Sequence, residues 1–275
     1  MLCCKNNNDG DGEPAPKLNH KNYLNVIFYI LNTVITFGIG TLGWTGTPDN
    51  GELSEKYQTL VTPKGTAFSI WGIIFIFQAI FVVVQLLPRF RAKAMVQDGV
   101  GYWYIATCAF QAAWTFAFAY EIIWLALIFI ILIWVTLVAI VYYQYYLPSE
   151  GTLSEFWLLR FPFMIHCGWL TAASTLNVNV QAVASNAAPE IQLAMGIISL
   201  AYLHAVSVWV VFGLTRPNYT IALVISWASG WIYSELQDPK ESIQSLLDPT
   251  TILGVSYAAG AVAFIVAGEV VVRGL

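Results

Sequence analysis

Long apolar runs separated by short polar segments dominate the chain. Runs without Asp, Glu, Lys or Arg predict eight spans, at residues 23–43, 67–87, 101–119, 122–146, 158–180, 191–213, 218–235 and 250–271. Each is near the length of about 20 residues with which a helix crosses roughly 30 Å of hydrocarbon. Runs such as IIWLALIFIILIWVTLVAIVYY do not alternate, which argues against a β-barrel. The pattern therefore predicts an all-α, polytopic transmembrane helix bundle of about eight spans.

Composition and charge agree with a membrane setting. Of the 275 residues, 58% are hydrophobic and 10% are charged, whereas soluble domains have about 25% charged residues. With a cytosolic N-terminus, nine Lys and Arg residues fall on the cytosolic side and three on the other, which is the bias that sets orientation in membranes. The net charge of −4 comes with no basic surface, so nucleic acid is not an expected partner. The chain is predicted to lie in a membrane with its N-terminus in the cytosol.

The first 22 residues are polar and rich in Asn and Gly, so we predict a disordered tail for residues 1–22. Within it, Cys3 and Cys4 are either S-palmitoylated beside the membrane or unmodified thiols. Cys108 and Cys167 lie within spans, so the four cysteines form neither a disulfide framework nor a zinc pattern.

The polar residues of the spans exclude several classes of protein. No charged residue lies at the centre of a span, which disfavours an ion pump. No lysine lies within a span, which excludes a retinal Schiff base. Three histidines without Cys or Glu at ligand spacing predict no metal site. There is no paired carboxylate near a nucleophile, no motif serine and no phosphate loop, so we do not expect an enzyme.

Two spans place polar and aromatic residues on one helical face. Positions spaced three or four apart share a face of a helix. In the fifth span this face carries Pro162, His166, Trp169, Ala173 and Asn177, and in the third it carries Gln111, Trp114 and Phe118. Two interpretations remain open: packing through interhelical hydrogen bonds, or the lining of a cavity.

The chain contains three aromatic motifs: TPKGTAFSIWG at residues 62–72, QAAWTFAF at 111–118 and WLTAASTLN at 169–177. In their order and spacing these motifs resemble the TspO/MBR family, the translocator or tryptophan-rich sensory proteins. Gln111 stands where the family has asparagine. The resemblance covers about residues 20–180, and the chain looks like a longer relative with extra C-terminal helices. Asn177 is followed by VNVQAVASNAA, which lacks the basic and aromatic cholesterol-recognition pattern.

This resemblance implies a TspO-like five-helix domain at residues 23–180, followed by three additional helices at 181–275. It also implies an apolar cavity in the first domain, with the 44–65 loop folding over it as a lid. The residues expected to bind a ligand there are Trp71, Gln111, Trp114, Phe118, His166, Trp169, Ala173 and Asn177.

The leading functional hypothesis is a protein that binds, and either senses or translocates, a planar hydrophobic molecule such as a tetrapyrrole or a lipid-like ligand. One alternative is a structural or interaction subunit of a membrane complex, whose aromatic stripes only pack. Another is an uncoupled solute transporter, which would need inverted repeats with interrupted helices. Expected partners are the lipid bilayer, the hydrophobic ligand, and a second copy of the chain or another membrane subunit.

Overall fold

The computed structural model describes residues 17–275, and this part of the chain forms helices and no strands. Each of the eight predicted spans overlaps one long helix, and a short helix lies between the first two. The eight long helices and this short one are α1 (His20–Gly40), α2 (Asn50–Lys56), α3 (Ile70–Val84), α4 (Trp103–Ala119), α5 (Ile123–Tyr146), α6 (Phe161–Ala184), α7 (Pro189–Val208), α8 (Tyr219–Glu235) and α9 (Pro249–Gly274). The predicted fold class is therefore confirmed.

Within residues 17–275, five helical segments are long and apolar enough to cross a membrane by length and composition. They are His20–Gly40, Gly65–Val84, Ile123–Tyr146, Pro189–Gly213 and Pro249–Gly274. Three long helices remain. Two of them, α4 and α8, have 17 residues each, which is about 26 Å of helix. The third, α6, has 24 residues.

The polar composition of α6 follows from its position in the bundle. Most of its residues are buried, including His166, Thr171, Asn177 and Asn179. It packs against α3, α5, α7 and α8, so its polar side chains face protein and not lipid. Polar groups at membrane depth need partners within the protein, and a helix that is surrounded by other helices can find them there.

The helix ends differ from the predicted ends where a local cap decides them. Asn19 caps α1 in a capping box with Asn22, so this helix begins at His20. The predicted tail was therefore wrong for residues 20–22, which are helical. Residues 1–16, with Cys3 and Cys4, lie outside the described residues, and the predictions for them stay predictions.

The three C-terminal helices, α7 to α9, pack directly on the helices that correspond to the first five predicted spans. The Cβ position of Gly168 in α6 is 3.2 Å from the Cα atom of Ile221 in α8, which brings the two backbones into close contact. One apolar cluster includes buried residues from α3 to α9, among them Trp169 and Val266. The predicted division between residues 180 and 181 stays a prediction, and the packing across it is extensive.

Candidate functional site

A cavity of about 820 Å³ lies among α1, α3, α4, α5 and α6. This volume is within the roughly 300–1,000 Å³ typical of small-molecule sites. The lining includes seven of the eight residues that the sequence predicted as ligand-binding. These are Trp71, Gln111, Trp114, Phe118, Trp169, Ala173 and Asn177.

Aromatic rings form two walls of this cavity. In α4, the rings of Trp114 and Phe118 are stacked with centroids 5.1 Å apart and an interplanar angle of 13°. On another side, the ring of Trp169 packs edge-on against Trp71, at 6.3 Å, and against Phe68, at 5.6 Å. Edge-to-face and offset pairs hold each ring in one orientation. The walls therefore present fixed aromatic surfaces, and the small side chain of Ala173 leaves space between them.

The polar atoms of the lining fall into two groups. Asn177 is satisfied within the protein: its Oδ1 accepts from Trp114 Nε1 at 3.2 Å, and its Nδ2 donates to the Ala173 carbonyl at 3.0 Å. Gln111 and Trp169 are each only 2% exposed. Among the described residues, neither the amide atoms of Gln111 nor Trp169 Nε1 has a hydrogen-bond partner. These atoms have almost no exposed surface, so they do not face the cavity in this conformation, and an unsatisfied buried polar group costs about 1–3 kcal/mol.

His166 does not line the cavity, in contrast to the other predicted residues of its stripe. It is fully buried, and its Nδ1 accepts a 2.8 Å hydrogen bond from Gln78 Nε2. The ring of Trp71 packs edge-on against it, at 5.4 Å between centroids. His166 therefore supports the tryptophan that lines the cavity.

The segment between α1 and α3, residues 41–64, is named the lid because it contributes many residues to one end of the cavity. Leu53 of α2 anchors it: this side chain is fully buried in a cluster that includes Phe118 and Val180. At its other end, Gln58 Nε2 donates to Glu235 Oε1 at 3.0 Å, and Lys240 lies 3.3 Å from Glu55. The lid is thus held by α4, α6, the C-terminal end of α8 and the segment that follows it. A second apolar contact comes from Leu60 and Val61, each 2% exposed, which belong to a cluster with residues of α7, α8 and α9.

Glu121, between α4 and α5, joins the lid to this helical hairpin. It adopts a left-handed backbone conformation with φ of 57°, which is uncommon for residues other than glycine. Its carboxylate pairs with Lys56 and accepts a 2.6 Å hydrogen bond from the Tyr57 hydroxyl. The hydrogen bond from Lys56, followed by that from Tyr57, lowers the pKa of Glu121, and the bond to Glu121 raises the pKa of Tyr57.

Acidification is expected to weaken this attachment of the lid. Because the pKa of Glu121 is lower with the lid closed than its ordinary value of 4.5, the ionised carboxylate stabilises closure above that value, and the contribution is lost as the pH falls through the lowered pKa. We expect proteolysis within the lid to be faster at pH 3 than at pH 7. Glu121→Gln should raise the rate at pH 7 and reduce the dependence on pH, as followed with an acid-stable protease. Equal pH dependence in both proteins would contradict this role of Glu121.

Several lining residues were not predicted from the sequence. Phe75 lies one helical turn after Trp71, and Val180 one turn after the predicted stripe of α6, so both extend spacings that were already visible. Ile130 and Ile133 come from α5, whose uniformly apolar sequence has no polar side to identify its inner face.

Fold and site together define a class: a helical membrane protein with a lidded cavity walled by aromatic rings. The family model described as TSPO-like protein matches residues 22–271, which is nearly the whole chain. The chain belongs to the TSPO-like protein family, as the resemblance in the sequence predicted. No match was found among curated proteins or among solved structures.

Proposed function

We propose that the protein binds a flat, largely apolar small molecule in this cavity, and that the lid controls its exchange. A tetrapyrrole ring is the ligand class that we favour, because aromatic side chains stack well on an extended π system. The observation that carries the proposal is a cavity of about 820 Å³ whose walls are aromatic rings held in fixed orientations.

Hydrogen-bonding chemistry supports a ligand with one compact polar group. The indole Nε1 of Trp169 only donates, whereas the amide of Gln111 both donates and accepts. Both side chains line the same cavity. These atoms have almost no exposed surface, so a carbonyl, hydroxyl or ring nitrogen would bond to them once either side chain rotated toward the cavity, and the apolar remainder of the ligand would contact the rings.

We propose binding without catalysis. The charged residues of the described lining lie in the lid, at the last residue of α8 or in the segment that follows it. They are Asp49, Glu55, Lys64, Glu235 and Lys240. Sensing and translocation both require such a binding step, followed by opening of the lid. The alternative of an interaction subunit predicts packing alone and no saturable binding.

Titration with a neutral porphyrin, protoporphyrin dimethyl ester, tests the proposal. We expect saturable quenching of tryptophan fluorescence by the purified protein. Trp114→Leu and Trp169→Leu should each weaken binding by about tenfold or more, which corresponds to the 1.4 kcal/mol scale of an aromatic contact.

Trp209→Leu provides the matched control, because this tryptophan is 59% exposed and does not line the cavity. It should lower the total fluorescence and leave the dissociation constant unchanged. An equal loss of affinity in all three variants, or quenching that never saturates, would overturn the proposal and favour the interaction subunit.

A further inference from the structure

The charges of the described residues are divided between the two ends of the bundle. The lid end is acidic. It carries Asp49, Glu52, Glu55, Glu121, Glu190, Glu235, Asp238, Glu241 and Asp248, against Lys56, Lys64 and Lys240. The opposite end is basic. It carries Lys17, Lys21, Arg89, Arg91, Lys93, Arg160, Arg216 and Arg273, against Asp98, Glu150, Glu155 and Glu269. A ligand that reaches the cavity past the lid therefore meets a negative surface.

The cations near the cavity offer little compensation at the lid end. Lys56 pairs with Glu121, and Lys240 lies 3.3 Å from Glu55. Lys64 is exposed and has no carboxylate within ion-pair distance among residues 17–275. It is thus the one lysine of the described lining whose charge is not already paired.

The carboxylates of the lining are held in place by the protein. Glu235 accepts from Gln58 at 3.0 Å, and Asp49 accepts from the backbone N–H of Glu52 at 2.9 Å. These hydrogen bonds fix the positions of the two carboxylates. The negative charge at the mouth is therefore a fixed feature of the closed lid.

The deeper lining contains no charged side chain among the described residues. Its polar side-chain atoms belong to Thr36, Gln111, Trp114, Trp169 and Asn177. An ionised carboxylate that entered this region would lose its hydration without meeting a cation, which is costly in an apolar environment. Entry and interior thus disfavour an anion for two independent reasons.

We infer that the cavity selects neutral or cationic ligands and discriminates against anionic ones. The inference rests on the proposed function and specifies its ligand class: a flat apolar molecule without free carboxylates. Like charge at a mouth slows association, and the uncharged interior weakens the bound state. For a tetrapyrrole, esterified or amidated side chains are favoured over free propionates.

Three derivatives of one ring test this inference. Protoporphyrin carries two carboxylates at neutral pH, its dimethyl ester is neutral, and its bis(dimethylaminoethyl) amide is cationic. We expect the neutral and cationic forms to bind at least about tenfold more tightly than the diacid. Association of the diacid should become faster as salt is added, because salt screens the repulsion, and association of the ester should not change.

Two variants separate the contributions of charge. Glu235→Gln keeps an acceptor for Gln58 and removes one negative charge, so it should reduce the difference in binding affinity between the ester and the diacid. Lys64→Gln should not weaken binding of the diacid relative to binding of the ester. Selective weakening would mean that Lys64 receives a carboxylate, and the inference would be wrong.

The remaining outcomes distinguish this inference from the proposed function. Diacid binding that is saturable and as tight as ester binding overturns the selectivity and leaves the proposed function standing. Absence of saturable binding for all three derivatives overturns the proposed function, and the selectivity with it. Subtracting the signal of a Trp114→Leu, Trp169→Leu double variant removes differences in detergent partition between the derivatives.

Discussion

Gly168→Val is expected to force α6 and α8 apart and to lower the stability of the whole bundle. A Cβ atom at this position would lie 2.9 Å from Val224 Cβ and 3.2 Å from Ile221 Cα. The second contact is with backbone, which cannot rotate away as a flexible side chain would. Overpacking a buried site costs about 1–3 kcal/mol or more, and two branched methyl groups add to the clash of the Cβ atom itself.

The effect is measured as the midpoint of thermal unfolding of the detergent-solubilised protein, followed by tryptophan fluorescence. Gly254→Val in α9 is the matched control, since a Cβ atom there meets nothing within 4 Å. We expect a clear fall in the midpoint, or failure to purify, for Gly168→Val and little change for Gly254→Val. Equal midpoints for the two variants would show that α6 and α8 can separate without loss.

The sequence predicted the helices well because length and continuous apolarity are local properties. The ends were less accurate where a side chain made a cap: Asn19 accepts from the backbone N–H of Asn22 at 3.3 Å and starts α1 three residues before the predicted span. The centrality of α6 was not predicted. Its spacing identified one polar face, but which helices cover its other faces depends on tertiary packing.

The candidate site shows what helical spacing can and cannot predict. A stripe gives the face on which residues lie, and this placed Trp169, Ala173 and Asn177 on one cavity. The stripe does not show how far along the helix the cavity extends. His166 lies one turn toward the other end, where Trp71 fills the space and Gln78 provides its hydrogen bond.

The attachments of the lid depend on contacts between distant parts of the chain. Glu121 meets Tyr57 across 64 positions, and Glu235 meets Gln58 across 177. The resemblance implied a lid, and the sequence contained the charges, but no local pattern pairs them. The acidic character of the mouth likewise emerges only when the helices bring one set of ends together.

Leu53→Ala is expected to open the lid while the helices remain folded. The side chain is fully buried against α4, α5 and α6, in a cluster with Phe118, Ile123 and Val180. Removing a buried leucine side chain costs about 2–5 kcal/mol. Because α2 contacts the bundle mainly through this residue and a few exposed polar pairs, the loss acts on closure of the lid. A bound neutral porphyrin should therefore dissociate at least about 30-fold faster.

Stopped-flow displacement of protoporphyrin dimethyl ester measures that rate, and cleavage within residues 41–64 reports lid opening independently. Leu42→Ala is the control within the same segment, because Leu42 is 63% exposed. It should leave both rates near those of the unmodified protein. Faster cleavage of Leu53→Ala with unchanged dissociation would mean that the ligand leaves by another route, between helices and not past the lid. Unchanged cleavage would mean that the polar pairs at Glu121 and Lys240, together with the buried Leu60 and Val61, hold the lid without Leu53.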